Sequence, residues 1–104
     1  SNAMALTQEQ KKQFKSIGHH LKPVLIVAEQ GLSEGVMAEL ERALSDHELI
    51  KIQLRLPDRA DRAAILTELC QQSSAELVQS IGKMALVYRK NLKANPKLSN
   101  VQRL

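Results

Sequence analysis

Aromatic residues are nearly missing from this chain: one phenylalanine, Phe14, one tyrosine, Tyr88, and no tryptophan. Modules that read a single nucleic-acid strand usually lay successive bases on several exposed rings, and that mode is excluded here. The one cysteine, Cys70, rules out an internal disulfide. On the apolar face of a helix it reads as a small buried hydrophobe, and no Cys-His-Asn arrangement accompanies it. His19, His20 and His47 lack metal-ligand spacing, since adjacent imidazoles on a loop do not easily converge on one ion. Neither a Walker loop nor a Rossmann fingerprint is present. Asp58 and Asp61 read as dipole-favoured residues of a helix N-terminus, not as an acid–base pair. The expectation is therefore a protein that is not an enzyme, with no metal, no cofactor and no small-molecule substrate.

Long apolar runs are missing too. The longest, residues 23–28, is strand-sized, well short of the roughly 20 residues that span a bilayer. The segment after Met4 is polar, with Gln8, Glu9, Gln10, Lys11 and Lys12, which does not fit a signal peptide. A cytoplasmic protein without a membrane partner is expected. Internal repeats and low-complexity segments are absent, and nothing in the sequence sets the oligomeric state.

What is present is one domain's worth of chain, 104 residues, with charge unevenly placed. Residues 1–3, Ser-Asn-Ala before Met4, read as an expression-tag remnant. The formal net charge is +4. The stretch from 32 to 80 is acidic, whereas 1–31 and 81–104 are basic, the last of these without a single acidic residue. A fold that joins the two ends would turn a mild net charge into one positive patch, the electrostatic footprint of a polyanion partner. A solvated face plus a basic tail would look the same in sequence.

Thr7 and Gln10 have capping-box spacing, so a first helix runs from there to about Ile17, with Phe14 and Ile17 on one face and Gly18 as its stop. Val24-Leu25-Ile26-Val27 is a continuous β-prone run and reads as a buried strand. Ser33 caps a second helix whose stripe is Val36, Leu40, Ala43 and Leu44. Ile50, Ile52, Leu54 and Leu56 alternate with Lys51, Gln53 and Arg55: a strand with one apolar face and one basic, wet face. Asp58 caps a third helix, which turns Leu66, Leu69 and Cys70 inward and ends at Ser73-Ser74. Residues 76–81 and 84–89 form a hairpin about Gly82-Lys83. The order α-β-α-β-α-β-β predicts an α/β fold, a four-stranded mixed sheet with three helices. Residues 4–90 make the domain, and 91–104 follow as a basic tail, mobile or ordered only by docking.

Four motifs in this order carry a family resemblance. Leu21-Lys22-Pro23-Val24 enters the first strand, and Gly31-Leu32-Ser33-Glu34-Gly35-Val36 opens the second helix. His47-Glu48-Leu49-Ile50-Lys51 enters the second strand, and Ile81-Gly82-Lys83 precedes Leu86-Val87-Tyr88-Arg89. Over roughly residues 5 to 90 the chain resembles the CRM domain, named for chloroplast RNA splicing and ribosome maturation, in its stand-alone bacterial, YhbY-like form. That resemblance implies a fold similar to the C-terminal domain of translation initiation factor three. It also implies RNA binding by a basic surface and association with precursors of the large ribosomal subunit. The family typically carries Gly-x-x-Gly between the first strand and second helix; here Ala28-Glu29-Gln30-Gly31 keeps only the second glycine. Ala28 adds a methyl group and Glu29 a repelling charge where a phosphate would approach.

The residues expected to bind RNA are Lys11, Lys12 and Lys15 on the first helix, Lys22 at the strand entry, and Gly31, whose loop offers backbone N–H groups at a helix start. Lys83 in the hairpin and Arg89 and Lys90 after the last strand complete the set. Arg89 is the strongest of these three because a guanidinium can hold phosphate in a bidentate manner. Tyr88, the one tyrosine, could stack a base, but it alternates with Met84 and Leu86, which points it to the core face. With so few aromatics, binding should run through phosphates, 2′-hydroxyls and shape, which suits structured ribosomal RNA. The competing reading is a protein–protein adaptor, its acidic second helix (Glu34, Glu39, Glu41, Asp46) docking on a basic ribosomal protein or a maturation enzyme without touching RNA.

Overall fold

The structure, a computed structural model, describes residues 5–102. The element order is α1 (Gln8–Gly18), β1 (Pro23–Val27), α2 (Glu34–His47), β2 (Leu49–Leu54), α3 (Arg59–Ser73), β3 (Glu76–Ile81) and β4 (Met84–Tyr88), the order expected. Each helix starts at its expected polar cap. Thr7 and Gln10 close a reciprocal capping box, Ser33 accepts from the Val36 N–H, and Asp58 accepts from the Ala60 N–H. The strands lie in the order β1-β2-β4-β3. β1 runs parallel to β2 across the α2 crossover, and β4 is antiparallel to both of its neighbours. Ile81 pairs with Met84, so Gly82-Lys83 is a two-residue turn, and Gly82 supplies its positive φ of 57°.

Two apolar clusters clamp the sheet. α2 and α3 cover one face with Leu40, Leu44, Leu66 and Leu69 over Leu25, Val27, Ile50, Ile52, Leu54 and Val87. α1 covers part of the other face, where Phe14 packs with Leu49, Val78 and Leu86. Tyr88 belongs to this second cluster, its ring centroid 4.7 Å from that of Phe14. Gly18 lies inside α1, not beyond it. A Cβ there would overlap the Leu86 side chain, so the glycine serves close packing of the helix end on β4 and not a left-handed stop.

One element departs from its expected environment. β1 is an edge strand, and only Leu25 and Val27 are buried; Val24 and Ile26 are 45% and 42% exposed. The helix on that side, α1, leaves this half of the sheet open. The tail, in contrast, is held in place. Residues 91–102 return over the start of β2, where the Asn100 N–H donates to the His47 carbonyl and the Asn100 side chain donates to the Leu49 carbonyl. Val101 joins the α1 cluster, so both basic ends of the chain meet on the α1 side of the sheet.

Candidate nucleic-acid interface

Lys11, Lys15 and His19 fall four residues apart on one ridge of α1 and its C-cap. Phe14 and Gly18 turn toward the sheet, so this ridge runs along the flank of the helix. Lys12 stands exposed on the outer face. The ridge ends at a cleft of about 210 Å³ between the C-terminus of α1 and strands β2, β3 and β4, whose lining includes His19 and Lys51. Lys22 is exposed one residue before Pro23, the β1 partner of Lys51 in the register. Lys51 therefore joins Lys22 across the β1–β2 pair. On the far side of the cleft, Lys83 stands exposed in the hairpin next to Met84. Strand alternation puts Lys51 and Gln53 on the α1 side of β2, together with Val24 and Ile26 of β1; β2 ends at Leu54, so Arg55 of the expected basic face falls beyond the strand. The result is a partly open sheet face with Lys51 on it, Lys15, Lys22 and Lys83 exposed around it, and the half-buried Lys11 further back on the α1 ridge. Composition pointed to a basic face on β2; only the register shows that α1 leaves it partly open.

The remaining predicted residues lie elsewhere. Lys90 lies beyond the opposite end of β4 from Lys83, with the five-residue strand, roughly 17 Å long, between them, so no single phosphate contact can use both. Gly31 does adopt a positive φ of 70°, but its loop packs against α3, with Ile65 3.6 Å from where a Cβ would sit. Glu29 of that loop faces Asp61 and Glu68 across a shallow surface depression, so three carboxylates gather there. The first turn of α2 is served by Ser33 and carries Glu34. Electrostatics at this loop disfavour a phosphate.

Arg89 is engaged by the fold. Its guanidinium holds Glu41 in a two-pronged pair at 2.8 and 2.6 Å, and also donates to the Ser73 carbonyl and Ser45 hydroxyl. The side chain is only 21% exposed. Hydrogen bonding to Arg89 holds the Glu41 carboxyl below its ordinary range, while the same bonds hold the guanidinium proton more tightly. These bonds tie the C-terminal turn of α3 and the middle of α2 to the end of β4. Arg89→Ala should lower stability by about 1–2 kcal/mol, because removing the charged donor leaves the Ser73 carbonyl without its partner and Glu41 without its counter-charge, discounted for the exposure of Glu41. Glu41, with its folded pKa depressed, contributes stability above its unfolded pKa and loses it as pH falls through the folded value. Urea titrations of both proteins at pH 7 and at pH 3 should therefore show a smaller difference at the lower pH.

The acidic helix is partly self-neutralised as well: Glu39 pairs with Arg42 at 3.4 Å, and Glu41 with Arg89. Burial, then the Glu76 carboxylate, pushes the Cys70 thiol up, away from nucleophilic character. Among the described residues, no group of three or more His, Cys, Asp or Glu could hold a metal ion, and no helix is long and apolar enough to cross a membrane.

A model of the CRS1 / YhbY (CRM) domain family matches residues 6–89. A Pseudomonas aeruginosa protein named "Probable RNA-binding protein" is 77% identical over 100 residues, covering 96% of each chain. A Haemophilus influenzae protein named "RNA-binding protein" is 39% identical over 93 residues, covering 89% of this chain and 94% of that one. In shape, the chain is similar to the solution structure of a hypothetical protein from Staphylococcus aureus. The TM-score is 0.75 at 28% identity, with 86% of this chain and 93% of that chain covered.

Proposed function

This chain belongs to the CRS1 / YhbY (CRM) domain family, and from that premise we propose that it is a cytoplasmic, non-enzymatic RNA-binding protein that acts on ribosomal RNA during assembly of the large subunit. The observation that carries the reading is the convergence of Lys11, Lys15, Lys22, Lys51 and Lys83 around one partly open sheet face. Lys12 extends the surface along the outside of α1, and Lys90 adds a contact at the far end of β4. Ammonium groups on a scaffold of this width neutralise phosphates and tolerate many sequences, which suits a folded RNA better than a defined single strand. Arg89 supports the surface by fixing the end of β4. Relatives named for RNA binding, at high coverage, support the same reading.

The test is sedimentation of cell lysate through a low-magnesium sucrose gradient, with and without ribonuclease, following this protein across the fractions. Co-migration with large-subunit precursors, abolished by ribonuclease, is the expected result. Material found only at the top of the gradient at low salt would remove ribosomal particles as its stable partner.

A further inference from the structure

Large apolar side chains exposed on the sheet are unevenly placed. Val24, Ile26 and Ile81 lie on the α1 side, and Ile81 is 64% exposed. The register sets Ile26, Gln53, Met84 and Ile81 side by side as one row across four strands. Beside this row the cleft at the end of α1 has an apolar floor of Ile81, Met84 and Leu86, and a polar rim of His19, Lys51 and Gln79. Its wall exists because residue 18 is glycine: the helix end approaches Leu86 more closely than any side chain would allow. At about 210 Å³ the cleft is smaller than the roughly 300–1,000 Å³ of pockets for drug-sized ligands, and so suits one flat ring system.

We propose that this cleft seats a single unpaired nucleobase of the bound RNA. The proposal rests on the RNA-binding reading above and deepens it. An apolar floor takes the face of the base, as polarizable methionine and branched side chains can do where aromatics are lacking. The Gln79 amide offers both a donor and an acceptor to a base edge. Lys51 stands on the rim and the Lys11–Lys15 ridge leads up to it, with Lys83 beyond, so phosphates on both sides of the seated base meet cations. That charge complementarity selects a nucleotide over an apolar peptide as the occupant. The site is on the opposite face of the sheet from the Ala28–Gly31 loop, which packs on α3.

Two RNAs of equal phosphate count distinguish the outcomes: a hairpin with an eight-nucleotide unpaired loop, and a fully paired duplex. The full chain should bind the looped RNA about five- to tenfold more tightly, because only that RNA offers an unpaired base to bury against Ile81, Met84 and Leu86. The Ile81→Ser/Gln79→Ala variant should lose that preference and keep its affinity for the duplex; Ile81 is mostly exposed, so the fold should tolerate the change. The methyl signals give a second readout. The chain has three methionines, and the looped RNA should shift Met84 by ring current while leaving Met37, packed on the opposite face, in place. Equal binding of the two RNAs by the parent chain, a preference retained in the variant, or an unmoved Met84 signal would overturn the base seat and leave RNA binding standing. If neither RNA binds at low salt, both readings fall together.

Discussion

Glu48→Ala should cost the fold about 3 kcal/mol and release the tail. Glu48 is completely buried, yet among the described residues no cation is one of its hydrogen-bond partners. Its carboxylate accepts from the Asn91 backbone N–H at 2.7 Å, the Ser99 hydroxyl at 2.8 Å and the Gln102 side-chain amide at 3.1 Å. All three donors come from the segment after β4, so one side chain at the end of α2 organises residues 91–102. Its backbone is unusual as well, with φ 63° and ψ −54°, and the Glu48 carbonyl accepts from the Arg89 N–H. A hydrogen bond to a charged group contributes about 1.5–3 kcal/mol net, and a buried donor stripped of its partner costs about 1–3 kcal/mol. The three are neighbours and will not add in full, which brings the total to about 3 kcal/mol. Against a typical stability of about 5–15 kcal/mol that is a large fraction.

Two measurements separate this account from a simple loss of packing. Amide hydrogen exchange should show the Asn91 and Asn100 N–H groups losing protection at denaturant concentrations where β2 and β4 keep theirs. Glu48→Gln should fall between parent and alanine variant, because the amide oxygen can still accept while its NH₂ meets a donor. If Glu48→Ala unfolds with the parent's midpoint, the tail is held by Val101 and the Asn100 bonds instead, and the buried carboxylate contributes little.

Glu48 also shows where sequence reasoning stops. In the sequence it merely interrupts a helical pattern, and its partners arrive 43, 51 and 54 residues later. Nothing local marks those distant partners. Local signals served well where the interaction itself is local: Thr7, Ser33 and Asp58 cap their helices, and Gly82-Lys83 turns a hairpin. β1 shows the intermediate case. A continuous apolar run looks the same at the centre or the edge of a sheet, because strand order is set by long-range pairing. The run is legible as a strand, but its exposure is not. The candidate site divides in the same way. The lysines of α1 and Lys22 are readable as a charge pattern. The row Ile26, Gln53, Met84 and Ile81 draws one residue from each strand and exists only once the register is known. Arg89 departs from its expected role for a related reason: its carboxylate partner, Glu41, lies 48 residues away on another element.

Replacing Lys15, Lys22 and Lys83 together by alanine should weaken binding to the looped RNA by on the order of 100-fold at about 0.1 M salt, and should leave the fold intact. All three side chains are exposed, and none takes part in an ion pair among the described residues. Each phosphate neutralised contributes about 0.7–0.9 to the slope of log affinity against log salt. Removing three lysine–phosphate pairings should flatten that slope by about 2–3, and at about 0.1 M the affinity falls by the same number of log units. The slope is the more telling quantity, since it reports the phosphates neutralised and is unmoved by a shape change that weakens binding uniformly. Lys93→Ala/Lys97→Ala, on the tail that is bonded to the start of β2, removes two positive charges from the end of the sheet opposite the hairpin and should cost only a few-fold through the general field. Equal losses per charge in the two variants would mean that RNA senses net charge alone, and the open sheet face would lose its claim to be the interface. A flattened slope for the first variant and a parental slope for the second would fix the phosphates along the α1 ridge and the hairpin. The cleft then lies between two anchored stretches of backbone, and the nucleotide bridging them would pass directly over Met84 and Ile81.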